Sequence, residues 1–141
     1  MRSLYLVGPT GSGKSSIASL IANDLNGEII NADAFQLYKG IEIITASPNK
    51  KELNRAPHHL YGILNLDEEY NAGKYSIIAK EKITEIKENN KLPIVTGGSG
   101  LYIKSLTHGL LDFPQVDEKL RKKLNQLSIE ELSEKLFRFD P

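Results

Sequence analysis

The sequence contains no cysteine, which removes disulfides and thiolate metal sites from consideration. It has no apolar run approaching the roughly 20 residues that a membrane-spanning helix requires, so no membrane association is expected. Charge of one sign is also missing. The 18 Lys and Arg balance the 18 Asp and Glu, so the whole molecule has little attraction for nucleic acid, and any RNA contact must come from a local surface or from other residues. The first residues carry no signal-peptide pattern, because Met1–Val7 runs straight into glycines, and the expected compartment is the cytoplasm. No internal repeat or low-complexity tract is visible. What is present is an ordinary globular composition, 40% hydrophobic and 26% charged over 141 residues, enough for one compact core.

Leu4–Val7 is a short apolar run followed at once by glycines. From Ser15 to Leu25 the residues Ile17, Leu20, Ile21 and Leu25 recur at helical spacing, giving strand, loop, helix. Glu28–Ile30 reads as a second strand ending at Asn31, and the mixed stretch from there to Pro48 reads as largely loop. Between Asn71 and Asn90, Tyr75, Ile78, Ile83 and Ile86 define one apolar face of an amphipathic helix, which the two asparagines Asn89 and Asn90 stop. Pro93–Val95 is a buried strand closed by Gly97 and Gly98, followed by a helical segment from Leu101 to Leu106. Strands alternating with helices predict an α/β fold, a three-layer sandwich of the P-loop NTPase type around a mainly parallel sheet. Beyond Pro114 the character changes. Val116–Leu127 reads as a charged helix, and Ser128 with Glu131 forms a capping box for another. The expected organisation is an incomplete catalytic core over 1–114 and the start of a helical region over 115–141.

Gly8-Pro9-Thr10-Gly11-Ser12-Gly13-Lys14-Ser15 matches the phosphate-loop pattern G-x-x-x-x-G-K-[ST] and lies between a predicted strand and a predicted helix, as its mechanism demands. Its glycines allow successive backbone N–H groups to turn toward an anion. The helix amino terminus adds about half a positive charge, Lys14 adds a full one, and Ser15 offers a hydroxyl to Mg²⁺. A ligand-free glycine turn would be the bland alternative; the flanking elements favour a binder of diphosphate or triphosphate. The loop alone leaves the phosphate ester open, since kinases, NTPases and some transferases share it.

After the second strand comes Asn31-Ala32-Asp33-Ala34-Phe35-Gln36-Leu37-Tyr38-Lys39-Gly40. Asp33, at a strand's carboxyl end where α/β sheets bind ligands, has three candidate roles: a water-mediated magnesium ligand, a general base, or a cap for the turn after it. Gln36, three residues on, shares a face with Asp33 if the turn is helical, and a carboxylate with an amide suits an adenine edge.

At this point four ordered motifs, Gly8–Ser15, Asp33–Pro48, Pro57-His58-His59-Leu60 and Gly97-Gly98-Ser99-Gly100-Leu101-Tyr102, resemble those of the tRNA dimethylallyltransferases. The departures from the family pattern are Ala34 for Ser, Ile41 for Leu or Met, Ile44 for Gly, Ser47 for Lys and Ser99 for Thr. The resemblance implies alkylation of the exocyclic amine of an adenine in the tRNA anticodon loop by dimethylallyl diphosphate, with diphosphate as leaving group and Mg²⁺ as cofactor. It implies that Gly8–Ser15 bind the diphosphate, that Thr10 and Lys14 stabilise its developing charge, that Ser15 holds the metal and that Asp33 takes the amine proton. Asp33, Ala34, Phe35, Gln36 and Ser99 would meet the tRNA, the base being splayed out of its stack.

Other residues carry blander expectations. His58 and His59 are adjacent, so that if they lie on a strand they point to opposite faces and cannot form one metal pair. Tyr38 and Tyr102 suit packing better than base stacking. The run Glu118–Lys123 reads as a solvated helix face. The competing enzyme class is a small-molecule or nucleotide kinase, which calls for arginines over the transferred phosphoryl group; between Asn31 and Pro114 only Arg55 is available. A shortened, inactive family member is the nonenzymatic alternative.

Overall fold

The structure, a computed structural model, describes residues 2–110 and 117–140. In chain order it contains β1 (Leu4–Val7), α1 (Lys14–Asp24), β2 (Gly27–Asn31), a 3-10 turn at Phe35–Leu37, α2 (Lys50–Leu53), β3 (His58–His59), α3 (Ala72–Glu88), β4 (Leu92–Gly97) and α4 (Gly100–Thr107). Then follow α5 (Glu118–Leu124) and α6 (Ile129–Phe139). The chain divides into two compact units, Met1–Leu110 and Leu111–Pro141. The domain boundary expected at 114/115, together with Pro114 and Val116, lies outside the described residues.

Every strand pairing in the first unit is parallel, in the order β1-β4-β2-β3. The central β2 is buried at all five positions, as expected of a strand covered on both faces. Its side chains alternate between layers. Ile29 joins Ala18 and Ala22 of α1 with Ile94 of β4, whereas Ile30 joins Tyr75, Ala79 and Ile83 of α3 with Val95 of β4. Two helical layers on a parallel sheet are the expected three-layer α/β sandwich. Each of the four fully buried residues Ile29, Ile30, Ile94 and Val95 contributes roughly 1.5–3 kcal/mol of burial. β1 is an edge strand of this sheet, paired on one side with β4.

The long amphipathic helix is α3. Asn71 caps it by accepting from the Lys74 N–H, and it stops where the asparagines predict. Asn90 adopts a left-handed conformation at φ 57°, while the Lys91 and Asn90 N–H groups return to the Ile86 and Lys87 carbonyls, the double closure of a Schellman cap. Of its expected apolar face, Tyr75, Ile83 and Ile86 are buried and Ile78 is half-buried, and Ala72 and Ala79 complete the contact.

The stretch after Asn31 is largely loop, as expected, with the 3-10 turn after Asp33 and a bridge from Tyr38 to Leu64. The one-turn α2 follows, set by a reciprocal box in which Asn49 Oδ1 accepts from the Lys51 and Glu52 N–H groups while Glu52 Oε2 accepts from the Asn49 N–H. So short a helix is held by its cap rather than by burial. In the second unit, Asp117 caps α5 and the Ser128–Glu131 box caps α6. Among the described residues no helix is long and apolar enough to cross a membrane.

Candidate functional site

β1 delivers the chain into the glycine-rich loop, where Gly11 and Gly13 take φ values of 78° and 81°, a left-handed conformation in which a Cβ is strained. Gly13 is the N-cap of α1, and no side chain caps that end. The first N–H groups of an eleven-residue helix are therefore left for an anion. Lys14 and Ser15 are half-buried. Lys14 Nζ donates to the Pro9 carbonyl at 2.5 Å and to Ser12 Oγ at 3.4 Å, and Ser12 Oγ donates to the same carbonyl at 2.8 Å. The loop is thus shaped by its own hydrogen bonds, with the lysine ammonium folded against it.

Asp33 lies two residues beyond β2, and its neighbourhood is organised by the buried Asn31. Asn31 Nδ2 donates to the carbonyls of Asp33 and Leu60, each at 2.9 Å, while Asn31 Oδ1 accepts from the Asp33 N–H at 2.8 Å. Asp33 Oδ1 accepts from the Phe35 N–H at 3.0 Å. The capping role is thus observed for one oxygen, which leaves Oδ2 for chemistry. Between Asp33 and the phosphate loop passes the end of β4. A Cβ built on Gly98 would stand 3.3 Å from the Gly8 carbonyl oxygen and 3.7 Å from Asp33 Oδ2, so only a bare backbone fits comfortably between the two.

The loop and Asp33 line one cavity of about 360 Å³. Of the residues singled out from the sequence, Thr10, Gly11, Gly13, Lys14, Ser15, Asp33 and Gln36 line it. Gly8, Pro9 and Ser12 belong to the framework of the loop. Ala34 and Ser99 serve as a strap, the Ala34 N–H donating to Ser99 Oγ at 2.9 Å and the Ser99 N–H to the Ala32 carbonyl at 3.1 Å. Phe35 stands 69% exposed. Gln36 lies near Asp33, but its amide nitrogen is engaged by the carbonyls of Thr45 at 2.9 Å and Ala46 at 3.2 Å. Both donors face the 41–47 turn, and only its oxygen remains for a ligand.

Glu52 and Tyr61 also line the cavity and were not anticipated. The capping-box pattern Asn49-x-x-Glu52 could have located Glu52; no local pattern marks Tyr61. Its phenol ionises with great reluctance, because burial raises its pKa and the nearby Asp33 and Glu52 carboxylates raise it further. The tyrosine is fixed by an edge-on contact with the His58 ring, centroids 5.6 Å apart.

The remaining candidates are structural. His58 Nδ1 bonds the Ala56 carbonyl at 2.8 Å, and burial holds its pKa below the ordinary imidazole value. His59 Nε2 meets Glu28 Oε2 at 2.5 Å, whose other oxygen accepts from Lys91 at 2.6 Å. Burial pushes the Glu28 carboxyl up, but the hydrogen bonds and charges of Lys91 and His59 outweigh it and the net shift is downward. Tyr102 stacks on Tyr75 at 4.1 Å, and Tyr38 donates to the Glu68 carbonyl. Arg55 donates to Ser19 of α1 at 3.3 Å and does not line the cavity, so the arginine cover of a kinase is not supplied by it. Arg121, Lys122 and Lys123 are exposed in the last turn of α5.

The family described as IPP transferase matches residues 36–141. A tRNA dimethylallyltransferase of Pelagibacter ubique is 42% identical over 98% of this chain and 45% of its own length. One from Rickettsia conorii is 45% identical over 98% of this chain and 39% of its length. Among solved structures, the full-length tRNA isopentenylpyrophosphate transferase of Bacillus halodurans superimposes with a TM-score of 0.77 at 35% identity, covering 99% of this chain and 48% of that one. A eukaryotic dimethylallyltransferase acting on tRNA gives a TM-score of 0.85 at 30% identity, with 99% and 36% covered. The chain spans less than half the length of these relatives.

Proposed function

The chain belongs to the IPP transferase family, and from that premise we propose that it transfers a dimethylallyl group from dimethylallyl diphosphate to the exocyclic amine of an adenine in a tRNA anticodon loop. One observation carries the reading: the phosphate loop and the free oxygen of Asp33 belong to the same cavity. The amine nitrogen forms a bond to the first carbon of the dimethylallyl group as the carbon–oxygen bond to diphosphate breaks, and that bond's electron pair leaves on the diphosphate. The amine proton passes to Asp33 Oδ2. Lys14, Thr10 and the uncapped N–H groups of α1 stabilise the negative charge that develops on the departing oxygens. Gly98, without a side chain, leaves the space between Asp33 and the phosphate loop clear.

Mg²⁺ fits these residues. Ser15 supplies a hard hydroxyl oxygen, and Glu52 supplies a carboxylate in the same cavity. Among the described residues no cluster of three or more His, Cys, Asp or Glu could cage a metal, which agrees with an ion held chiefly through substrate phosphates and water. Bound there, it would neutralise the leaving diphosphate. Phe35, exposed beside Asp33, offers an aromatic face to an unstacked base.

The test is transfer of labelled dimethylallyl to unmodified tRNA, with free adenosine monophosphate and ATP-dependent phosphorylation as comparisons. Transfer to tRNA supports the reading. Transfer only to the free nucleotide would change the acceptor, and phosphoryl transfer from ATP would replace the reaction.

A further inference from the structure

An adenine edge presents a hydrogen-bond donor, the amine, beside an acceptor, a ring nitrogen. A site that reads it therefore needs an acceptor and a donor side by side. Asp33 Oδ2 supplies the acceptor. Gln36 is the obvious donor by sequence, but its amide nitrogen faces two backbone carbonyls, and turning the amide over would set its oxygen against both. The donor must come from elsewhere on the cavity wall.

Tyr61 meets the requirement. Among the described residues its hydroxyl has no hydrogen-bond partner, and the residue lines the same cavity as Asp33. It lies within electrostatic reach of both Asp33 and Glu52 without bonding either, and it stays neutral and protonated at any working pH. A neutral O–H donor sharing a cavity with a carboxylate acceptor has the two groups that complement the adenine edge.

The backbone on either side fixes this placement. Leu60 sits at φ 63°, a strained conformation for a leucine, and its carbonyl accepts from the same Asn31 amide that holds Asp33. On the other side, the Gly62 N–H donates to the Gln36 carbonyl at 2.9 Å. Asp33 and Tyr61, 28 positions apart in the sequence, are thus positioned by one buried side chain.

Resting on the adenine-acceptor reading above, we propose that Tyr61 reads the acceptor base: its O–H donates to the purine ring nitrogen next to the amine while Asp33 accepts from the amine itself. Tyr61 thereby distinguishes adenine from bases whose corresponding ring atom is a donor or a carbon.

The test titrates wild type and Tyr61→Phe, each saturated with magnesium diphosphate, with anticodon stem–loop RNAs carrying adenine, 1-deazaadenine or 7-deazaadenine at the acceptor position, followed by nuclear magnetic resonance so that weak binding is measured. Wild type is expected to prefer adenine over one of the two deaza bases by about tenfold, the worth of one hydrogen bond. In Tyr61→Phe that preference should vanish while magnesium diphosphate affinity stays within about twofold of wild type, which also reports an intact fold. A preference that survives in Tyr61→Phe, or a wild type indifferent to both deaza bases, overturns the assignment. Failure of wild type to bind any of the RNAs while it binds diphosphate overturns the adenine-acceptor reading and the assignment with it.

Discussion

The closest steric constraint at the site is on Gly97, and its replacement by alanine measures how rigidly the floor of the cavity is built. Gly97 is not among the residues with positive φ, so alanine meets no backbone-conformational penalty and the cost is steric. The added Cβ would stand 2.2 Å from both the carbonyl carbon and oxygen of Ala32, more than an ångström short of ordinary contact. Both atoms are backbone, so no side chain can rotate away. β4 and the Ala32 segment must part, which strains two buried hydrogen bonds, from the Ala32 N–H to the Thr96 carbonyl at 2.7 Å and from the Ser99 N–H to the Ala32 carbonyl at 3.1 Å. At about 1 kcal/mol for each bond and about 1–3 kcal/mol for overpacking, Gly97→Ala costs about 3–5 kcal/mol. That is a large share of the 5–15 kcal/mol typical of a domain. Urea unfolding should show it as a midpoint lowered by about 1 M or more. Gly100→Ala is the control: its Cβ meets nothing within 4 Å at the start of α4, so its midpoint should hold or rise. A Gly97→Ala midpoint equal to that of Gly100→Ala would refute the packing argument.

Lys14→Ala should weaken magnesium diphosphate binding by about 1.5–3 kcal/mol, the range for a charge-assisted hydrogen bond; equal calorimetric affinities would remove Lys14 from the site. Asp33→Asn should leave that affinity intact and abolish transfer, since an amide takes no proton; loss of affinity with saturated transfer unchanged would assign Asp33 to the metal. The His58 pKa is lowered in the fold, so the folded state resists protonation and stability present above pH about 6.5 is lost as pH falls below it toward the folded value. Urea midpoints from pH 7 to 5 should therefore decline in wild type and decline less in His58→Phe. Parallel pH dependence in the two proteins would show that His58 is not the titrating group.

The architecture was largely legible because its signals are local. Leu4–Val7 before glycines, the spacing of Tyr75, Ile83 and Ile86, and the stop at Asn89-Asn90 each report a rule that acts over a few residues. The misses share the opposite character. β3 has two residues and no alternation to read, and it exists because Ile29 and Ile30 of β2 offer it a ladder. The amide of Gln36 is consumed by a turn nine and ten residues away, and Tyr61 enters the cavity through a tie from Asn31, 29 positions before Leu60. Asp33 could be located from its strand, but the split between one capping oxygen and one free oxygen is visible only in three dimensions.

The sheet order gives the phosphate loop an asymmetric foundation. β1 feeds directly into Gly8, yet only β4 supports it, and Leu4 and Val7 at its two ends are exposed. Among the described residues the outer row of β1 amides and carbonyls has no strand beside it. Such an edge belongs to the part of a fold that opens most readily, and here that part is the stalk of the glycine-rich loop. A strand laid along β1 would damp its fluctuations and hold the loop glycines in register, strengthening phosphate capture without touching a phosphate contact. Phosphate binding by Gly8–Ser15 would then respond to what lies at the sheet margin as well as to the loop's own residues.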